Sequence, residues 1–338
     1  MEEGMIPPFP IHKPSEQDGM EDFLFLKKQS FLHLVEHKPW TSRSELDDKL
    51  CYPLVLAKSN IGNKSSNCFH WQARMACDSL TAPSPIRAWY DRKLRKNIEG
   101  SVYYQDSHKS ALTMRGYTAS QFRPSAAKAL YEWLQAKDVY DPCGGWGDRL
   151  SAALASKLDS YHCRDLNPLV FAGYALQQQS YISTTQTSFE YRGAEVDCPK
   201  ANAFDLVFTS PPYWKVEKYQ GENQSFRQYK KFEEWMEGFL YPMATHSWEA
   251  LKDEGFMAIN ISDCYANHTY NRICMPLLDY CMNNLPNCSF AGFMGYEITP
   301  RKNGGPNAEP IVLFSKNKSI NLHELAPAKP QGDLFDAT

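Results

Sequence analysis

The sequence lacks the features that mark membrane and secreted proteins. Its 338 residues contain no apolar run near the ~18 residues that a membrane-spanning helix requires. The first residues, MEEGMIPPFPIHKP, are acidic and rich in proline, without the apolar stretch of a secretion signal. We therefore expect an intracellular protein.

The ten cysteines lack the pattern of a metal site. No two of them form a Cys-x-x-Cys pair, and no histidine completes a set with the regularly spaced Cys274, Cys281 and Cys288. Reduced thiols and no bound metal are expected.

A strong excess of either charge is also missing. The net charge is −3, which means that any binding to nucleic acid must come from a local basic surface. Hydrophobic residues make up 43% and charged residues 22%, as in ordinary globular proteins. The length suits one large α/β domain with an added segment, or two domains.

Helical and strand patterns alternate from about residue 120 onwards. RPSAAKALYEWLQAKD has helical spacing, short apolar strands such as FDLVF and GFMAINI follow, and helical stretches separate them. This alternation predicts an α/β fold with a doubly wound, mainly parallel sheet. The last two strands, FAGFMGYEIT and EPIVLFSK, are separated only by a loop, which predicts an antiparallel pair.

The turn DPCGGWGDR follows the first predicted strand of this sheet. Gly145 and Gly147 allow positive φ and let a ligand approach backbone N–H groups, while Asp141 could accept bonds from a ligand ammonium group. Asp165 ends the second strand, at the position where an acid accepts bonds from ribose hydroxyls. By itself the turn also fits a plain strand-to-helix connection, and the acid on strand two favours a nucleoside-bearing ligand.

The stretch FDLVFTSPPYW ends a buried strand in a rigid corner. Pro211 and Pro212 restrict the backbone, so the Ser210 hydroxyl and the Pro211 carbonyl become preorganised acceptors, with the ring of Tyr213 beside them. Two acceptors and an aromatic face suit a planar amine, and acceptors that hold its hydrogens free the nitrogen lone pair for attack. A base in a duplex must be flipped out to reach such a corner. The alternative is a rigid loop with a buried tyrosine.

These motifs resemble those of the amino-methyltransferases of DNA, which methylate cytosine N4 or adenine N6. TSPPYW is similar to their catalytic motif, and DPCGGWG is similar to their glycine motif, with Cys143 in place of the usual phenylalanine. The resemblance covers about residues 115–316. It implies catalytic roles for Ser210, Pro211, Pro212 and Tyr213, and cofactor-binding roles for Phe122, Pro124, Asp141, Pro142, Cys143, Gly145, Gly147 and Asp165.

The resemblance implies a seven-stranded, Rossmann-like methyltransferase sheet with an antiparallel last strand and S-adenosylmethionine as cofactor. Serine at the first position of the catalytic motif favours cytosine N4 as the target. Adenine N6, an RNA substrate and a non-catalytic DNA-binding protein remain alternatives, as does a link to restriction–modification.

Only about sixty residues separate the two motifs, too few for a domain that recognises a DNA sequence. The expected organisation is a disordered segment (1–20), an accessory segment for DNA recognition (21–115), a catalytic domain (116–316) and a flexible tail (317–338). The insert after Tyr213 is the second candidate for recognition.

Two basic stretches with interleaved aromatic residues are candidates for contact with DNA phosphates and bases. A solvated helical face would show the same pattern. The candidate residues are Arg92, Arg95, Trp214, Lys215, Lys218 and Arg227.

The C-terminal stretch QGDLF resembles the peptide by which bacterial proteins bind the replication sliding clamp. Leu334 and Phe335 would fill an apolar pocket, and Gln331 would bond at its rim. The alternative is a tail without a partner. The clamp interpretation implies a protein of the bacterial cytoplasm, encoded by a bacterium or a phage.

Overall fold

A nine-stranded sheet forms the centre of the computed structural model, which describes residues 6, 8–100, 107–299 and 306–325. Four short strands outside it pair in two small sheets. In chain order the strands are Val35–His37 (β1), Cys51–Leu56 (β2), Asp78–Ser79 (β3), Asp138–Asp141 (β4), Ser160–Asp165 (β5), Gln186–Tyr191 (β6), Phe204–Thr209 (β7), Glu217–Lys218 (β8), Leu251–Asn260 (β9), Cys264–Ala266 (β10), Thr269–Asn271 (β11), Cys288–Thr299 (β12) and Asn307–Lys316 (β13).

The order of strands in the main sheet is β1-β2-β12-β13-β9-β7-β4-β5-β6. The pairs from β9 through β7, β4 and β5 to β6 are parallel, while β13 runs antiparallel to both of its neighbours, β9 and β12. This sheet confirms the predicted α/β class, the doubly wound arrangement and the antiparallel last strand.

Two strands extend the seven that the sequence predicts. β2 pairs in parallel with β12, and β1 pairs with β2 at the outer edge. They come from the segment 21–115, in which the sequence shows no regular pattern because each strand is short. One core cluster contains Leu54 and Leu56 of β2 together with Met294 of β12, so the sheet crosses the predicted boundary at residue 116.

Helices cover both faces of the sheet. They are Glu16–Lys28 (α1), Asn63–Met75 (α2), Pro85–Tyr90 (α3), Arg92–Glu99 (α4), His108–Arg115 (α5), Pro124–Trp133 (α6), Asp148–Leu154 (α7), Pro168–Ser180 (α8), Ser225–Gln228 (α9), Phe232–Trp235 (α10), Tyr241–Ala250 (α11), Cys274–Asn284 (α12) and Leu322–Leu325 (α13), with a π-helical turn, Met236–Leu240, between α10 and α11. No helix of the described ranges is long and apolar enough to cross a membrane.

The N-terminal segment is more ordered than the sequence predicts. α1 begins at Glu16, where Ser15 and Asp18 form a reciprocal capping box. Before this helix, the ring of Phe9 stacks on Tyr90 and meets the edge of Trp71. The prediction of disorder up to residue 20 is therefore wrong for the helical residues, because composition alone does not reveal a cap.

The core lies in two layers, one on each face of the sheet. Along β7, Leu206 and Phe208 belong to one cluster and Val207 to the other. A strand that is buried on both faces reads as a continuous apolar run, which is why FDLVF is recognisable in the sequence. α2 packs on the same side as α7 and α8.

The switch in strand order lies between β4 and β7. The chain leaves β4 through α7 to β5 and β6 on one side, and returns to place β7 on the other side of β4. In a doubly wound sheet, the carboxyl ends of the strands at such a point border a crevice. The turn after β4 and the corner after β7 both lie at this edge.

Gly145 and Gly147 in the turn after β4 both have positive φ, as the sequence predicts, but their surroundings differ. Gly145 (φ +61°) has open space around it, since an added Cβ would have no neighbour nearer than 3.8 Å. Gly147 (φ +70°) caps α7, and an added Cβ would overlap the side chains of His70 and Gln177.

The two glycines provide a matched pair for unfolding experiments. Gly145→Ala should lose roughly 1–2 kcal/mol of stability from left-handed strain alone, whereas Gly147→Ala should lose roughly 2–5 kcal/mol because overpacking adds to the strain. Urea unfolding of both variants measures the difference. Equal losses would contradict the assigned role of His70 and Gln177.

The contribution of β1 and β2 can be tested by truncation. A fragment that starts at residue 116 loses both strands and exposes the edge of β12, so we expect it to aggregate. A control fragment of residues 8–325 keeps them and should remain soluble with one cooperative thermal transition. A soluble, cooperatively folding 116–325 fragment would show that the catalytic part folds alone.

Candidate active site

A deep cleft opens at the carboxyl edge of the sheet, between the turn after β4 and the corner after β7. It encloses about 1200 Å³ of space, part of it open to solvent. Its walls include the predicted residues Phe122, Pro142, Cys143, Gly145, Asp165, Ser210, Pro211, Pro212 and Tyr213. The structure thus brings the two sequence motifs together at one site.

Asp141 does not line the cleft, in contrast to its predicted contact with a ligand. It is fully buried and accepts bonds from Arg149 Nε at 2.7 Å, Arg149 Nη2 at 3.1 Å and the hydroxyl of Tyr161 at 2.7 Å. Arg149 also donates to the carbonyl of Cys143. Asp141 therefore holds Arg149, and Arg149 holds the glycine turn, so this carboxylate is already occupied.

Gly147 and Pro124 also lie outside the lining of the cleft. The space beside Gly147 is filled by His70 and Gln177. Pro124 is buried at the first position of α6, where its missing N–H carries no cost. Neither residue therefore faces a ligand in the cleft. Phe122, two residues before Pro124, does line the cleft, and its ring stacks on Tyr296 with the ring centroids 4.4 Å apart.

Asp165 lies at the cleft as predicted, at the end of β5. One carboxylate oxygen accepts the Gly145 N–H at 2.8 Å, and the other accepts the Asn167 N–H at 2.7 Å. Burial raises the pKa of Asp165 to about 6, although both backbone bonds oppose the increase. Asp165 ties the turn after β4 to the start of α8 and can still accept further bonds.

Two further polar residues of the cleft were missed in the sequence. Glu195 Oε2 and Asn167 Nδ2 are buried and have no hydrogen-bond partner among the described residues. An unsatisfied buried polar atom is costly, which makes both atoms candidates for contact with a ligand. Glu195 follows β6, so the rule that ligands bind at the carboxyl ends of strands could have identified it.

The Ser-Pro-Pro-Tyr corner forms the opposite wall. Pro211 is buried, whereas Ser210 and Tyr213 are partly exposed toward the cleft. The hydroxyl of Tyr213 lies 3.1 Å from Glu309 Oε2 and 3.4 Å from the carbonyl oxygen of Asn260. These contacts fix the tyrosine ring, and burial raises its pKa, so the phenol stays neutral.

Two acids beside the corner were also missed. Glu217 of β8 accepts bonds from the hydroxyls of Tyr117, at 2.5 Å, and Tyr219, and Glu309 of β13 accepts the bond from Tyr213. Burial raises the pKa of both carboxyls. Neither residue shows a local signal in the sequence, because β8 is short and Glu309 sits inside a strand pattern.

The insert after Tyr213 differs from its predicted role. Trp214 is only 4% exposed and packs against Phe232 with ring centroids 5.5 Å apart, so it cannot stack on a displaced base in this conformation. Lys215 lies over the Trp214 ring at 4.5 Å and donates to the carbonyl of Lys230 at 2.6 Å. Both side chains therefore stabilise the insert.

The other basic candidates divide into exposed and engaged side chains. Arg92 and Arg227 are exposed, and Lys218 of β8 is partly buried where β8 pairs with β3. Arg95 donates to the carbonyl of Trp89 at 3.0 Å and lies 3.5 Å from Glu99, so its guanidinium is already engaged. The clamp residues Gln331, Leu334 and Phe335 lie outside the described residues, and their role stays a prediction.

The site contains no cluster that suggests a metal. Within the described ranges, no group of three or more His, Cys, Asp or Glu side chains could hold a metal ion. All ten cysteines carry free thiols.

Three solved structures illustrate the proteins to which this fold is similar. They are a SAM-dependent O-methyltransferase from Thermotoga maritima (11% identity, 62% of this chain and 70% of that chain, TM-score 0.39), an rRNA methylase from Streptococcus thermophilus (13%, 59% and 100%, TM-score 0.37) and the N-methyltransferase NodS from Bradyrhizobium japonicum (7%, 57% and 94%, TM-score 0.37). Each TM-score lies below 0.5, so the fold class rests on the sheet described above. A search of curated proteins found no match.

The family comparison agrees with the resemblance of the catalytic motif. Residues 204–334 match the N6/N4 methyltransferase family model, described as DNA methylase. This range begins at β7 and contains the Ser-Pro-Pro-Tyr corner, Glu217 and Glu309. Over this range, which covers less than half of the chain, the sequence is similar to the N6/N4 DNA methylases.

Proposed function

We propose that this protein methylates the exocyclic amine of a flipped base in DNA, with cytosine N4 as the favoured target. One observation carries the proposal: the acceptors of the Ser-Pro-Pro-Tyr corner share a cleft with the positive-φ glycine turn and with Asp165. Such a cleft can hold a methyl donor and an amine face to face.

The residues at the sheet edge fit S-adenosylmethionine. Its adenosine part carries hydroxyl and amine donors, and Asp165 and the unpartnered Glu195 oxygen are acceptors in this part of the cleft. Phe122 and Cys143 add apolar surface, while the open space at Gly145 lets a ligand approach the backbone. When bound, the cofactor supplies an electrophilic methyl group on a sulfonium.

The corner would prepare the amine. The Ser210 hydroxyl and the Pro211 carbonyl would accept the two amine hydrogens, which favours a pyramidal nitrogen with a free lone pair. The prolines fix these acceptors before the base arrives, and the neutral ring of Tyr213 would stack on the base. After the transfer, the nitrogen carries a positive charge and is therefore acidic enough to release a proton to water.

Serine at position 210 supports cytosine N4 over adenine N6. DNA is the favoured substrate class because the matched family is described as DNA methylase. Arg92 and Arg227 are exposed and would contact phosphates. An adenine product, an RNA product and the absence of any product are the outcomes that would replace the proposal.

The central test is the loss of one acceptor. Ser210→Ala should lower the rate of methyl transfer roughly 10²–10³-fold, with little change in cofactor affinity, because the hydroxyl acts on the amine. Mass spectrometry of nucleosides from DNA treated with the protein identifies the product as N4-methylcytosine or N6-methyladenine.

Ser110→Ala is the matched control, since Ser110 is exposed on α5 and does not line the cleft. It should leave the rate unchanged. Unchanged methylation by Ser210→Ala would rule out the assigned corner, and methylation of RNA alone would rule out the DNA substrate.

Asp165 makes cofactor binding dependent on pH. Its pKa of about 6 means that the carboxylate accepts bonds from a ligand above this pH and is protonated below it. If only the ionised form binds well, affinity should fall about tenfold from pH 7.5 to pH 5. Calorimetric titration with S-adenosylmethionine measures this fall.

Asp165→Asn should bind weakly and lose this part of the pH dependence. Asp148→Asn is the control, because Asp148 lines the same cleft and its pKa is also raised by burial to about 6. If the pH dependence persists in Asp165→Asn and disappears in Asp148→Asn, the group that titrates is Asp148, and the assignment to Asp165 is wrong.

A further inference from the structure

Glu309 occupies an unusual position at the start of β13, beside the corner that would hold the target amine. Its carboxyl group faces the cleft, and Oε2 accepts the hydroxyl of Tyr213 at 3.1 Å. Among the described residues, no hydrogen-bond donor reaches Oε1. One oxygen is therefore fixed by the catalytic motif, and the other is available to a ligand.

The corner itself can satisfy only part of a base. Pro211 and Pro212 have no N–H groups, so the corner is rich in acceptors, which suit the two hydrogens of an amine. In both cytosine and adenine the ring nitrogen next to this amine is an acceptor, N3 in cytosine and N1 in adenine. A flipped base buried here would need a donor for that nitrogen, because a buried acceptor without a hydrogen bond destabilises the complex.

Three of the donors around the corner already make hydrogen bonds within the protein. Asn260 Nδ2 donates to the carbonyl of Pro310 at 3.1 Å, and Gln121 Nε2 donates to Asp148 at 2.9 Å. The hydroxyl of Tyr213 donates to Glu309. A protonated carboxyl group at Glu309 would provide the missing donor without losing its bond from Tyr213, since one oxygen accepts while the other carries the proton.

We propose that the carboxyl group of Glu309 is protonated in the complex and that its O–H donates a hydrogen bond to the ring nitrogen beside the target amine. The inference rests on the proposed function and adds a residue that would hold the base by its ring nitrogen. The carboxyl group retains its proton throughout, so no proton is transferred in this contact.

The surroundings of Glu309 favour the protonated form. Burial is the largest influence and raises its pKa, with a smaller increase from the nearby carboxyl of Glu217. Tyr213, Arg123 and Arg43 act in the opposite direction. A bound base would exclude more water and disfavour the charged form further, so the donor is present at low pH and lost as pH rises through this pKa.

Target bases that lack the ring nitrogen test the contact directly. The substrate is a DNA duplex with 3-deazacytosine at the target position, or 1-deazaadenine if the product is N6-methyladenine. The wild-type protein should lose about ten- to hundredfold in kcat/KM on the deaza duplex. Glu309→Ala should lower kcat/KM by a similar factor on the normal duplex, and replacing the target base by its deaza analogue should lower kcat/KM of this variant no further.

Glu309→Gln is the conservative variant, because its amide is a donor that does not titrate. It should keep kcat/KM within a few-fold of the wild type and lack the fall at high pH that Glu309 causes. Thermal unfolding and S-adenosylmethionine binding should be unchanged in both variants.

The outcomes separate the two hypotheses. If the wild type methylates DNA but the losses from Glu309→Ala and the deaza base multiply, the contact does not exist and the inference is overturned. The same follows if Glu309→Gln falls as far as Glu309→Ala. A wild-type protein that binds S-adenosylmethionine but methylates neither base would overturn the proposed function, and this inference with it.

Discussion

The parallel hydrogen-bond ladder between β4 and β7 is the constraint on which the site depends. Val139 pairs with Leu206 and Tyr140 with Val207, so both strands end at the same edge of the sheet. Neighbouring strands lie about 4.8 Å apart, which brings the glycine turn and the Ser-Pro-Pro-Tyr corner within reach of one small ligand and one base. Under the proposed function, neither turn could act alone, because one would hold the methyl donor and the other would offer acceptors to an amine.

The buried pair of Asp141 and Arg149 shows how the first turn is held. Burial of two charges is expensive and is offset only when good geometry and further bonds accompany the pair. Here Asp141 also accepts a bond from Tyr161, and Arg149 also donates to the carbonyl of Cys143. The acid that ends β4 thus acts on the cleft through the shape of the turn, whereas Asp165 and Glu195 line the cleft itself.

Acidic groups line much of the cleft, which would oppose binding of the proposed polyanionic substrate only if all of them were ionised. Burial raises the pKa of each of these carboxyl groups and so reduces the charge that the cleft presents to DNA. They are Asp148, Asp165, Glu195, Glu217 and Glu309. Under the proposed function, a single flipped base would enter this pocket, while the phosphate backbone would stay outside it.

Local sequence patterns determined the alternation of strands and helices from residue 120, the positive-φ glycines and the rigid proline corner. These features depend on periodicity and on backbone angles, which neighbouring residues control. Only the tertiary structure decided that β1 and β2 join the main sheet, that Asp141 is occupied by Arg149 and that Trp214 is buried. It also placed Glu195 and Glu309 at the cleft, since contacts between residues distant in sequence depend on which strands are neighbours, and no local pattern encodes that choice.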